Sequence, residues 1–210
     1  MITIATLFWQ KNDATGHYAD GYSVQWVEKL YRGFARNLTV PFRFVCFTDR
    51  ERTWNEPILT RLLTNSSRPE YFDCLEPYRL NEPMMLTGLD TVVTGNCDAL
   101  ARYCMEGDKI ALPRDPYRPS RACNGVALVP AGNGHVWFDA DRAALPPRTA
   151  DMDRLRGLPH VFLDDIYPGY VVSYKKQVKP QGVGGSRIVY FHGKEKPHEI
   201  DADWIKRAWR

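Results

Sequence analysis

Two side chains far apart in the chain, Asp90 and His192, are of types that could together hold a metal ion. Asp90 follows the apolar run Met84 to Leu86 and the turn Gly88-Leu89, and His192 follows another apolar run, Arg187 to Phe191. A carboxylate oxygen and an imidazole nitrogen together suit a divalent ion such as manganese, and carboxylate with water suits magnesium. Two protein ligands leave positions open for a phosphate. Each residue also has a plain structural use: an aspartate beside a glycine stabilises turns, and a histidine at a strand end is often structural. Beside His192, Gly193-Lys194-Glu195-Lys196-Pro197 supplies two ammonium groups and a glycine that lets backbone N–H groups approach an anion. The same composition also makes a solvated surface turn. Asp164-Asp165 are adjacent carboxylates, which form an acid and base pair only if the backbone turns there, since neighbours in a strand point to opposite faces.

The elements that position these groups follow from periodicity. Ile2 to Trp9 is a short apolar run, expected as a strand buried on both faces. Val24, Val27, Leu30, Tyr31 and Phe34 line one face of a helix over 22–37, with Glu28, Lys29, Arg32 and Arg36 on the other. Pro41 stops it, and Phe42 to Thr48 is the next strand. Strand, helix and strand in that order make a right-handed crossover between parallel strands, hence an α/β sheet. Such sheets hold ligands outside the carboxyl ends of their strands, here Phe8-Trp9-Gln10 and Thr48-Asp49. An aromatic ring there can stack on a planar base and Asp49 can accept a hydrogen bond from one; core packing and turn capping are the other uses of these residues. Further strands are expected at 58–63, 84–86, 91–94, 109–112, within 123–129, at 170–173 and at 187–191. Short helices are expected at 70–78, at 98–103 with Asp98 as cap, and after Asp201, where Trp204, Ile205, Ala208 and Trp209 share a face.

A chain of 210 residues with 44% hydrophobic residues can bury one substantial core, so a single domain over 1–210 is expected. A net charge of +3 gives no footprint for a nucleic-acid partner, and any bound anion must be held by local groups. No stretch approaches the roughly 18 apolar residues of a transmembrane segment, and the N-terminal run lacks a basic leader and cleavage site. The five cysteines are odd in number and without C-x-x-C spacing. A soluble protein in the reducing cytoplasm is expected.

Taken in order, the first strand and helix, FRFVCFTDR, LDTVVTGNCDAL, CNGVALV and YFHGKEKPHE resemble the GT-A glycosyltransferases, nearest to glycosyltransferase family 8 and small bacterial and phage proteins related to it. LDTVVTG looks like the end of that family's Asp-x-Asp segment, CNGVALV is similar to its Asn-x-Gly strand, and FHGKEKP resembles a shortened His-x-x-Gly-x-x-Lys-Pro region. The resemblance implies a single-domain, Rossmann-like α/β fold whose mixed, mostly parallel central sheet is flanked by helices. It implies transfer of a sugar from a nucleotide-diphosphate sugar, UDP-sugar favoured, to a carbohydrate, protein or lipid-linked acceptor, assisted by Mn2+ or Mg2+. By the same resemblance Asp90 and His192 bind the metal, and Gly193, Lys194 and Lys196 meet the diphosphate. Asn124 and Gly125 line the donor-sugar pocket, Thr6, Phe8 and Asp49 sit by the base, and Asp164 or Asp165 lies at the acceptor and sugar. The sequence departs from the family pattern where the first motif aspartate falls at Gly88, where Asp73 stands near a position often basic, and where His198 replaces a tryptophan. A fold that binds sugar nucleotides without turnover is the alternative these departures raise.

Overall fold

The computed structural model describes residues 1–16 and 20–210. Its main sheet has seven strands in the order β3-β2-β1-β4-β7-β6-β8. These are β1 (Ile2–Phe8), β2 (Phe42–Thr48), β3 (Ile58–Leu62), β4 (Met84–Thr87), β6 (Ile110–Leu112), β7 (Val126–Val129) and β8 (His160–Phe162). β1 pairs in parallel with β2 across helix α1 (Val24–Asn37), the expected crossover. β4 continues the parallel set, while β7 runs antiparallel to both β4 and β6. A second sheet, β5-β10-β9, is built from β5 (Thr91–Val93), β9 (Val171–Ser173) and β10 (Ile188–Tyr190).

Two-residue alternation sorts the central strands onto two cores. Met85, Val126 and Leu128 face α1 and helix α2 (Asp98–Glu106) with Leu30, Phe34 and Leu100. Met84, Leu86, Ala127 and Val129 face the opposite side, where Phe72, Leu75 and Tyr78 of the 3-10 segment Tyr71–Leu80 close the core with Val136 and Leu155. Val136 and Leu155 come from α3 (His135–Phe138) and α4 (Ala150–Arg156). The remaining short helices are α5 (Leu163–Ile166), α6 (Lys179–Gln181) and α7 (Asp203–Ala208).

Several local expectations change in physically clear ways. Glu28, assigned by period to the solvent face of α1, is buried because its carboxylate accepts from Asn55 N (2.8 Å) and Asn55 Nδ2 (3.0 Å) of an overlying loop. Trp26 is buried as well, its ring 4.8 Å from that of Trp209, so the C-terminal segment covers a second face of the helix. Asp98 is the first residue of α2 and does not cap it; Cys97 takes that position. The Asp98 carboxylate reaches the loop after α1, accepting from Thr39 Oγ1 (2.6 Å) and Thr39 N (2.8 Å), bonds that hold its pKa down at about 2. Asp201 pairs with Lys206, and Ala202 caps α7. All five cysteine thiols are free.

Candidate functional site

Strand direction decides where a cleft forms. β1 and β4 end side by side at Phe8 and Thr87, and antiparallel β7 begins there, so Asn124-Gly125 arrive at the same edge as Gly88-Leu89-Asp90. Gly88 N donates to Gly125 O (3.0 Å), tying the two turns together. A cavity of about 280 Å³ opens at this edge, lined by Phe8, Trp9, Tyr22, Tyr71, Thr87, Gly88, Asp90, Asn124, Gly125 and Asp151 among others. Its place outside the carboxyl ends of parallel strands is where α/β sheets bind ligands. Among the described residues, Trp9 Nε1 and Thr87 Oγ1 are buried without a hydrogen-bond partner, which is uncommon for native polar groups and frequent at binding sites.

One wall is charged. The Asp90 carboxylate is ion-paired with the Lys196 ammonium, and Tyr22 bridges them: its hydroxyl donates to Asp90 Oδ2 (3.2 Å) and accepts from Lys196 Nζ (3.1 Å). Burial, with the Asp90 charge beside it, pushes the Tyr22 phenol far above its usual range, so it remains a donor. The pairing depends on sheet geometry. β10 runs antiparallel to β5 with Tyr190 opposite Thr91, and Phe191 N then donates to Asp90 O (3.0 Å). The loop beyond turns back through two left-handed residues, Gly193 (φ 63°) and Glu195 (φ 65°). Only glycine adopts that conformation readily, so the Glu195 backbone carries strain of about 1–2 kcal/mol. Lys196 is fixed by Glu199, whose carboxylate accepts from Lys196 N (2.6 Å), and by buried Pro197.

The cavity lining also holds a buried acid. Asp151, 7% exposed, accepts a bond from Asn124 Nδ2, and burial pushes its pKa up to about 6 against that bond. A carboxyl whose pKa is shifted by burial beside a cavity is a functional-site candidate.

The structure therefore brings Asp90, Asn124, Gly125 and Phe8 to one cleft, joins Lys196 to it through Asp90 and Tyr22, and places other expected site residues around or outside it. His192 follows Phe191 and feels the Asp90 charge, but its Nε2 is bonded to Ser173 Oγ (2.9 Å). Burial and the Lys175 ammonium hold the imidazole below its usual pKa, with Asp90 opposing them. Gly193 lies on the cleft loop, its Cα substituent direction 3.5 Å from Lys175 Nζ, and Lys194 is exposed on the same loop. The Thr6 hydroxyl is buried within the sheet and donates to Thr87 O (2.8 Å). Asp49 is paired with Arg50 and Arg52, the latter stacked 4.0 Å over the Phe8 ring. Asp164 and Asp165 lie on the turn of α5, where the backbone lets both face Arg114: Asp164 Oδ2 accepts from Arg114 N (2.8 Å), and both oxygens of Asp165 accept from Arg114 Nη2 (3.0 and 2.8 Å). Neither is among the residues lining the cavity.

Tyr22 and Asp151 carried no sequence signal, because their roles arise from contacts with Asp90 and Asn124, distant in the chain. The residues present do not make a convincing seat for a resident divalent ion. Among the described residues no group of three His, Cys, Asp or Glu side chains could hold one. The carboxylate that would be its main ligand already carries an ammonium, and like charges compete for it.

No protein-family model and no curated protein matches this chain. Solved structures do. The glycosyltransferase GlyE of Streptococcus pneumoniae TIGR4 aligns with 93% of this chain at TM-score 0.58 and 13% identity. An active-site mutant of LgtC aligns with 98% of this chain and 93% of its own at TM-score 0.61 and 10% identity. The bifunctional glycosyltransferase WbbM aligns with 95% of this chain at TM-score 0.63 and 10% identity. The alignment spans 55% of the GlyE chain and 48% of the WbbM chain. At these identities the likeness is one of architecture, and the architecture is an α/β fold with a mixed, mostly parallel seven-stranded sheet, similar to the GT-A glycosyltransferases.

Proposed function

We propose that this chain is a glycosyltransferase that takes a sugar from a nucleotide-diphosphate sugar, UDP-sugar favoured, and passes it to a hydroxyl of a carbohydrate, protein or lipid-linked acceptor. The observation that carries this reading is the cleft at the ends of β1, β4 and β7, lined by aromatic residues and by Asp90, on which the Lys196 ammonium is clamped. The aromatic residues Phe8, Trp9 and Tyr71 suit a planar base. An ammonium on a flexible stem suits a diphosphate, and Gly193 and Lys194 extend the cationic loop.

In the reaction the bond from the anomeric carbon to the β-phosphate oxygen breaks, its electron pair leaves with the diphosphate, and the acceptor oxygen forms the new glycosidic bond. Lys196 stabilises the charge gathering on the departing phosphate. Asn124 and Asp151, which line the same cavity, face the sugar. Asp151, ionised at neutral pH, supports the oxocarbenium-like carbon, and the proton of the acceptor hydroxyl passes to a base, Asp151 or the departing phosphate. Mn2+ or Mg2+, implied by the resemblance with Asp90 and His192 as ligands, would supply further charge at the diphosphate, but this donor set fits it poorly. Asp164 and Asp165, also implied as catalytic, would act only on an acceptor bound beyond Arg114.

Gly125→Val tests the cleft. A Cβ at Gly125 would stand 3.1 Å from Cδ2 of the buried Tyr190 ring, so a branched side chain must push into the cavity or the ring. Where the ring is pushed, an overpacking cost of about 1–3 kcal/mol in folding stability is expected; where the cavity is filled, a loss of roughly tenfold or more in UDP-sugar affinity is expected by calorimetry on folded protein. Unchanged affinity in the variant would remove the cleft from the account. Gly88, in place of a carboxylate, favours a second reading, donor binding without transfer. Release of UDP in the presence of a hydroxyl acceptor decides against it.

A further inference from the structure

We infer that the diphosphate site of this chain works without a divalent metal, the Lys196 ammonium occupying the position at Asp90 that a metal would need. The inference rests on the nucleotide-sugar reading above and concerns how that site holds its charge.

Three features of the cleft point the same way. The first is the occupant of Asp90: the ammonium is bonded to the carboxylate and to Tyr22, so a cation arriving from solution would have to displace one that the chain itself supplies. The second is Gly88. A Cβ there would stand 3.1 Å from Asp90 Oδ1, so position 88 directly adjoins the Asp90 carboxylate, and it offers no side chain to help that carboxylate hold an ion. The third is that the lysine is held in place in advance. Gly193 and Glu195 in the left-handed region turn the loop, and the Glu199 carboxylate and buried Pro197 fix the backbone at Lys196. A lysine that only met a metal-bound diphosphate would have no need of a carboxylate partner of its own.

Lys175 and Lys196 both act on His192, opposed by the carboxylates of Asp90 and Asp115. The two ammonium groups are side chains from which part of the attraction that a metal supplies can be built. When a diphosphate enters, Lys196 can keep Tyr22 and Asp90 as anchors and direct its remaining proton at a phosphate oxygen, since an ammonium has three donors.

The test is calorimetric titration of the full chain with UDP and with GDP, once in excess EDTA and once in millimolar Mn2+, for the native protein and for Lys196→Ala, Lys196→Arg and Gly88→Asp. For the native protein the two conditions are expected to give dissociation constants within about twofold for the nucleotide that binds. Lys196→Ala is expected to lose about 30-fold in both conditions and Lys196→Arg to recover most of it, as for a charge-assisted hydrogen bond. Gly88→Asp is expected to gain Mn2+ binding that the native protein lacks, measured with Mn2+ alone. Native binding that tightens tenfold or more with Mn2+, or a Lys196→Ala variant that binds as well as native protein, overturns the inference and leaves the nucleotide reading standing. Failure of both nucleotides in both conditions overturns the nucleotide reading, and this inference with it.

Discussion

Asp151→Asn is expected to make the protein more stable at neutral pH and less able to handle its donor. The carboxyl has moved from its ordinary 3.8 to about 6 through burial, roughly two units, so keeping it ionised at pH 7 costs about 3 kcal/mol. The sign follows from proton binding. The folded state holds this proton more tightly than the unfolded chain, so native stability falls as pH rises from about 4 to about 6 and is level above that. The amide has no charge to desolvate, and its oxygen can still accept from Asn124. Urea unfolding at pH 4 and pH 7 should therefore show that slope diminished in the variant, with a gain of up to about 3 kcal/mol at pH 7. Turnover or UDP-sugar affinity should fall in the same variant, the pattern of a group kept for function at a cost in stability. A variant less stable than native protein at pH 7 would show that the charge serves the fold.

Glu76→Ala is expected to act in the other direction, and strongly. Glu76 is fully buried, yet its carboxylate is saturated: Thr64 N donates to both oxygens (3.1 and 2.9 Å), Thr64 Oγ1 donates at 2.8 Å, and Arg79 Nη1 lies 3.1 Å away. It thereby joins the loop after β3 to the 3-10 segment that carries Tyr71 and Cys74 to the cavity wall. Removing it strands those donors and opens a void. Breaking a buried, hydrogen-bonded charge network costs about 3–5 kcal/mol, which for a chain of this size lowers Tm by roughly 10 °C. Calorimetric melting checks this, and a shift of only 1–2 °C (roughly 0.5 kcal/mol) would show that the Thr64 loop re-forms its bonds with water.

The elements were legible where one periodicity dominated. β1, β2, β4 and β7 are rich in apolar and β-branched residues, and the face of α1 repeats at helical spacing, so local sequence and tertiary packing ask for the same conformation. Glu28 and Trp26 escaped the period because their partners, Asn55 and Trp209, come from segments whose arrival no local pattern encodes. The site divides in the same way. Asp90, Asn124 and Lys196 stand at strand ends or in a glycine loop, features visible in the chain; Asp90 and Asn124 line one cleft, and Lys196 is joined to it by its pair with Asp90. That Lys196, more closely than His192, engages Asp90 was not legible. It follows from the β5–β10 register and from two left-handed residues that aim the loop, one of them a glutamate with no sequence signature for that conformation. Asp164 and Asp165 looked free to do chemistry because Arg114, which binds both, is separated from them by β7 and α4.

The central claim, that a nucleotide diphosphate occupies the cleft with its charge on Lys196, is tested most directly by a crystal structure of the protein grown with UDP. The account predicts phosphate oxygens in hydrogen-bond reach of Lys196 Nζ and the uracil ring against Phe8, Trp9 or Tyr71. A UDP molecule bound elsewhere on the protein, or one in the cleft whose phosphates turn away from Lys196, would contradict it.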